Sequence, residues 1–187
     1  MLKGHGILIR MLIVFVVVAM LASAGSSPAN PTRAASLPPA VLQNASPLHQ
    51  IGQGSHSYFG LKVYQVTLWG TSNRWNPEEP HALDLEPSRA VSSEQLVDAG
   101  AKEMNRLGVG TPQQRQEWRS QLQRLLPSVK SGDQVVIFCA PNHKTFFFYN
   151  GRERGELDDP AFGAAFFSIW LDPRASNAAL RKSLLNH

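Results

Sequence analysis

Ser55 and His56 stand side by side in Gly54-Ser55-His56-Ser57, a pairing that invites a test for nucleophilic chemistry. An activated serine needs its base within hydrogen-bond reach of Oγ. Adjacent residues on a strand point to opposite faces, and the chain has no G-x-S-x-G elbow. The other histidines beyond the N-terminal segment, His49, His81, His143 and His187, show neither H-E-x-x-H spacing nor a Cys/His pairing for zinc. Glu78-Glu79 and Asp158-Asp159 are adjacent pairs in loop or cap settings, where solvation or capping explains them. Cys139 is the single cysteine, so no internal disulfide forms, and it ends an apolar run that buries an inert thiol. No glycine-rich phosphate loop is present. The residues therefore assign no catalytic group, no metal and no cofactor.

The elements that would position any site are well marked. Residues 127–171 hold the densest structural signals. Ser131-Gly132-Asp133 is a turn, and Val135 to Cys139 is an apolar strand. Ala140-Pro141-Asn142-His143 is a loop, Thr145 to Tyr149 an aromatic strand, and Asn150-Gly151 a hairpin turn. Asp159-Pro160 supplies an N-cap and an N1 proline for an apolar helix, Ala161 to Trp170. Phe162, Phe166 and Trp170 fall on one stripe of it, as a core helix requires.

Upstream, Gln50 to Trp69 reads as two strands joined near Phe59-Gly60-Leu61. The second alternates Lys62, Tyr64, Val66 and Leu68 against Leu61, Val63, Gln65 and Thr67. Both sets are half apolar, which predicts cover on both faces. Residues 71–80 form a polar loop, and Ala82 to Leu85 a short third strand. Ser92-x-x-Gln95 and Thr111-Pro112-x-Gln114 are capping boxes for two helices, the first ending before Gly108 and the second before Pro127. Their apolar stripes are Leu96, Val97, Ala101, Met104 and Leu107, then Trp118, Leu122, Leu125 and Leu126. Ser176 caps a last helix, Asn177 to about Asn186. The order predicts an α+β domain, an antiparallel β-sheet with helices packed on one face.

Residues 1–24 read as a cleavable signal peptide. Lys3 and Arg10 make the basic region, Met11 to Leu21 the apolar core, and Ala22-Ser23-Ala24 the cleavage site. The apolar core is shorter than the roughly 20 residues a membrane span needs, so no stable span is expected after cleavage. Residues 25–47, rich in Ser, Pro, Ala and Asn, read as a disordered linker, and residues 48–187 as the domain. Cleavage removes two of the 18 basic residues and none of the 14 acidic ones, taking the formal charge from +4 to about +2. The remaining cations are scattered, with no basic cluster or aromatic platform, so nucleic acid is excluded as a partner. The expected location is periplasmic or secreted.

Several runs also resemble a known family. Phe148-Tyr149-Asn150-Gly151, Gly155 to Phe162 (GELDDPAF) and Ala165 to Leu171 (AFFSIWL) look like the C-terminal signature of the bacterial chalcone isomerase-like family. Gly60 to Tyr64 (GLKVY), Leu68-Trp69, Pro127-Ser128-Val129 and Gly132-Asp133 follow the same family in the same order. The resemblance spans roughly Leu48 to Leu185 and implies the open-faced β-sandwich of chalcone isomerase. That fold hosts both isomerases and non-catalytic binding proteins.

The resemblance places Tyr64 at a position lining the ligand cleft, where plant isomerases carry Thr and fatty-acid-binding relatives carry Tyr. A phenol there can hydrogen-bond a ligand carboxylate, or Tyr64 can be a packed core residue. The ligand-anchoring arginine of the family lies on the preceding strand, where this chain has no arginine and His56 is the nearest cationic candidate. Arg89 lies where bacterial relatives often show Arg, and it either points into the cleft or pairs at the surface with Glu86 or Glu94. The expected function is a non-catalytic exported domain that binds a fatty acid or another small apolar or amphipathic ligand through Tyr64, His56 and Arg89. The alternatives are an isomerase that closes a ring by intramolecular addition, and an envelope interaction protein without a ligand.

Overall fold

A computed structural model of the chain describes residues 37–44 and 47–186. After helix α1 (Pro39–Asn44), six strands and four further helices follow. They are β1 (His49–Tyr58), β2 (Leu61–Gly70), β3 (His81–Pro87), α2 (Ser93–Leu107), α3 (Pro112–Leu125), β4 (Val135–Cys139), β5 (Thr145–Tyr149), β6 (Arg152–Leu157), α4 (Pro160–Leu171) and α5 (Ala178–Leu185). The strands form one antiparallel sheet in sequence order, the α+β architecture expected. Phe59 and Gly60 alone separate the paired Tyr58 and Leu61, and both take positive φ, 48° and 75°. That backbone matches the twist a two-residue hairpin demands. Asn150 and Gly151 repeat the geometry between β5 and β6, with φ of 49° and 79°.

Both predicted capping boxes form. Ser92 Oγ accepts from the Gln95 N–H while the Gln95 side chain accepts from the Ser92 N–H, and Thr111 with Gln114 does the same. Gly108 ends α2 in the left-handed conformation. Asp159 caps α4 through Oδ1 and accepts the Trp118 indole N–H on Oδ2 at 2.8 Å, which ties the start of α4 to α3. The cap of α5 differs by one residue from expectation. Asn177 caps it, its Oδ1 accepting from the Leu180 N–H, while Ser176 is turned away to bond Glu103.

Strand alternation gives the sheet two apolar faces. Val66, Leu68, Leu83, Ile137 and Phe147 pack with residues of α2 to α5 in the main core. Ala82, Val136, Phe138 and Phe148 point the other way, where Leu37 and Val41 join them. One expectation is corrected here. Part of the stretch 25–47, expected to be a disordered linker, is helix α1, which packs on the face opposite the four expected helices. Pro39 sits at the first helical position, where its missing N–H is harmless, and Val41 is fully buried. Burial of this apolar sheet face against Leu37 and Val41 holds the segment down. The signal-peptide reading falls on residues outside those described. Among the described residues no helix is long and apolar enough to cross a membrane.

The strand β1 is cut away to admit α5. Gly52, Gly54 and His56 share its helix-side face, opposite Leu68, Val66 and Tyr64. A Cβ on Gly52 would lie 2.3 Å from the Leu184 carbonyl oxygen, and one on Gly54 would lie 2.6 Å from a Leu180 methyl. This close approach lowers the N-terminus of α5 onto His56. Gly52→Ala must push the α5 backbone outward, at a cost of about 1–3 kcal/mol. Thermal unfolding of that variant is expected several degrees below wild type, and an unchanged melting temperature would show that α5 does not need the gap.

Candidate functional site

The sheet register brings two of the three sequence candidates together. His56 is the cross-strand partner of Tyr64, with ring centroids 5.3 Å apart and planes tilted by 33°. A β-bulge makes this pairing. Ser57 pairs with Lys62, and the next pair skips Val63 to join His56 with Tyr64. Bulges of this kind re-aim side chains at functional positions.

Neighbours on the helices complete the cluster. The Trp170 indole Nε1–H donates to the Tyr64 hydroxyl oxygen at 3.2 Å. An indole only donates, so the Tyr64 O–H proton is left for another acceptor, and none lies in reach among the described residues. Asn177 Nδ2 lies 2.8 Å from His56 Nδ1. Because Asn177 Oδ1 is engaged by the Leu180 N–H, the amide donates and His56 Nδ1 accepts. The imidazole is therefore the neutral tautomer with its proton on Nε2.

Behind this pair sits Glu103, buried on α2. Its carboxylate accepts two bonds from the Arg106 guanidinium, at 2.9 and 2.7 Å, the Ser176 backbone N–H at 3.1 Å and the Ser176 hydroxyl at 2.8 Å. Burial alone would raise the Glu103 pKa, but the bonds from Arg106 and Ser176 outweigh it and hold the group below the ordinary carboxylate value. Burial raises the Tyr64 pKa, the Trp170 bond opposes that, and the Glu103 charge raises it further. Burial lowers the His56 pKa. The site thus presents a neutral phenol donor beside a neutral imidazole, with its one nearby carboxylate already clamped.

Arg89 lies half-buried after β3, two residues beyond Pro87, the cross-strand partner of Tyr64. Trp170, Asn177 and Glu103 escaped the sequence reading. Glu103 carried a signal, since helical spacing sets it on the stripe of Gly100 and Leu107 and three residues before Arg106. Among the described residues no group of three or more His, Cys, Asp or Glu side chains is arranged to hold a metal ion. A cleft of about 590 Å³ opens along another side of α4, and none of Tyr64, His56 or Arg89 lines it.

A neutral, half-buried His56 contributes its stability fully above the ordinary imidazole pKa of about 6.5 and loses that contribution as the pH falls towards its lowered folded value. Nuclear magnetic resonance titration of the His56 ring protons is expected to give a midpoint below 6.5. A midpoint above it would contradict the Asn177–His56 bond as drawn.

Comparison with known proteins agrees with this architecture. A fatty-acid binding protein from Arabidopsis thaliana superposes with a TM-score of 0.61 at 13% identity, covering 76% of this chain and 90% of that one. At that identity the likeness speaks to the fold. A search of curated proteins finds no significant match. A family model described as chalcone isomerase-like matches residues 29–186, almost the whole chain. The chain belongs to the chalcone isomerase-like family.

Proposed function

We propose that the protein is a non-catalytic ligand carrier of this family that holds a fatty acid or a similar amphipathic molecule, its head-group oxygen taken by the Tyr64 hydroxyl. The observation that carries the reading is the unspent O–H of Tyr64, fixed in place by Trp170 and kept protonated by burial and the Glu103 charge. The name of the Arabidopsis protein of the same fold supports the same class of ligand. His56 and Arg89 belong to the rim of the proposed seat, His56 as a ring against the Tyr64 face and Arg89 as the nearest guanidinium in sequence beyond Pro87.

Ring closure by intramolecular addition builds negative charge on an oxygen, and catalysis requires preorganised positive charge or strong donors aimed at it. Here the strand position that would supply a cation holds a neutral imidazole, with its Nδ1 lone pair already accepting from Asn177. One phenol donor steadies a developing oxyanion by a single bond, without the positive charge that a guanidinium beside it would add. Export of a bacterial protein to the periplasm belongs to the same proposal, supported by Lys3, Arg10, the apolar run Met11 to Leu21 and Ala22-Ser23-Ala24. N-terminal sequencing of the protein recovered from an envelope fraction tests it, with a start near Gly25 expected.

Laurate is expected to raise the melting temperature of the purified protein in a concentration-dependent way. Tyr64→Phe removes one hydrogen bond worth ~0.5–1.5 kcal/mol net and should weaken laurate about two- to tenfold while leaving the fold intact. Chalcone turnover should be undetectable in both proteins. Measurable cyclisation that disappears in Tyr64→Phe would replace this reading with the isomerase.

A further inference from the structure

The cleft of about 590 Å³ lies along a second side of α4, and Tyr64 is not among its lining residues. Ala164, Phe167 and Leu171 form its helix wall, Trp75 and His81 stand on the strand side, and Arg181 of α5 reaches it from one end. On the helix side of the sheet, His81 at the start of β3 and Pro87 at its end are six residues apart, roughly 20 Å along the strand. Pro87 is the partner of Tyr64, so the two regions do not share a side chain.

The walls are aromatic and already ordered. His81 meets Phe167 edge to face at 4.3 Å, and Trp75 meets His81 at 6.3 Å with an interplanar angle of 88°. His81 Nδ1 lies 2.6 Å from the Glu79 carbonyl oxygen, which fixes the ring, and burial lowers its pKa, so it adds no charge at neutral pH. Trp75 also buries its indole N–H without an acceptor among the described residues, a donor that a ligand oxygen wedged beside it would satisfy.

The charge balance singles out Arg181. Its Nε donates to the Leu171 carbonyl at 2.8 Å, which holds the guanidinium over the cleft, and its two terminal nitrogens have no partner among the described residues. Asp172 also lines the cleft and its charge acts on Arg181, but its carboxylate is taken by Arg174, which grips it at 2.9 and 2.8 Å and contributes a backbone N–H at 2.7 Å. Two free guanidinium N–H groups on a fixed plane match a carboxylate bidentately. Glu78 at the rim opposes multiply charged anions.

We infer that this cleft is a second binding site, separate from the Tyr64 seat, for a small aromatic monocarboxylate, its ring between Trp75 and Phe167 and its carboxylate on the Arg181 fork. The cleft is large enough for a two-ring ligand, and pockets of a few hundred Å³ lined by aromatic side chains with one charged anchor are the usual small-molecule form.

Isothermal titration calorimetry of the full chain with 2-naphthoate, and with the uncharged 2-naphthamide, tests the assignment. Naphthoate is expected to bind at least tenfold more tightly than the amide, and Arg181→Gln is expected to erase that difference. Ala164→Trp changes an exposed helix position that borders the cleft, so it fills the space without disturbing the core, and should abolish binding while the melting temperature holds. Tyr64→Phe should leave naphthoate affinity unchanged. Equal binding of acid and amide, no effect of Ala164→Trp, or loss in Tyr64→Phe would each overturn the second site. Laurate binding measured on the same variants fails or survives through Tyr64, so the two readings fall separately.

Discussion

The aromatic seat of α4 on the sheet is the constraint from which both ligand regions follow. Phe162 and Phe166 stack at 5.2 Å, and both meet Phe147 of β5, at 6.1 and 6.0 Å. Trp118 packs edge to face on Phe162 at 5.7 Å and donates its N–H to the Asp159 cap. Ring contacts of this geometry add specificity to the area they bury. With the helix fixed in rotation and along its axis, residue 170 must arrive over Tyr64 and residue 167 over His81. Two neighbouring stripes of one helix thereby serve two different places on the sheet.

The polar side of the structure is arranged to keep that helix face electrically quiet. Glu103 could have left an uncompensated charge under Tyr64, but Arg106 and Ser176 take up its lone pairs. A buried charge with every partner in place is tolerated, whereas one stripped of a partner is strongly destabilising. The same contacts bind α2 to the turn between α4 and α5, which sets the height at which Asn177 meets His56. Structural clamp and electrostatic background are one set of hydrogen bonds.

Much of this was legible in the chain. The capping boxes at Ser92 and Thr111, the Asn150-Gly151 turn and the Asp159-Pro160 helix start are local, and each depends on a few adjacent residues. What stayed hidden depends on distant partners. Helix α1 looked like linker because residues 25–47 are rich in Ser, Pro, Ala and Asn, and only a distant apolar sheet face gives Leu37 and Val41 somewhere to go. Ser176 and Asn177 compete for one cap, and the winner is decided by Glu103, more than seventy positions away in the chain. The His56–Tyr64 pairing rests on skipping Val63, and a bulge leaves no mark in the strand alternation. The cleft beside α4 takes a wall from the loop at Trp75, which in sequence was polar connection and nothing more.

In the proposed Tyr64 seat an imidazole stands where the resemblance leads one to expect a guanidinium, and that changes the class of event the seat can support. A guanidinium stays charged at every relevant pH, so it steadies an anion whether that anion is a ligand or a transition state. A half-buried His56 committed to Asn177 offers no such charge, and in the proposed seat the phenol recognises an oxygen by one directional bond. The guanidinium that does stand with open valences, Arg181, is one turn beyond Asn177 on α5, and its bond to the Leu171 carbonyl sets it on the cleft that Trp75 and Phe167 line. Energetic effects at Tyr64 and at Trp75, which share no side chain, should then add without coupling.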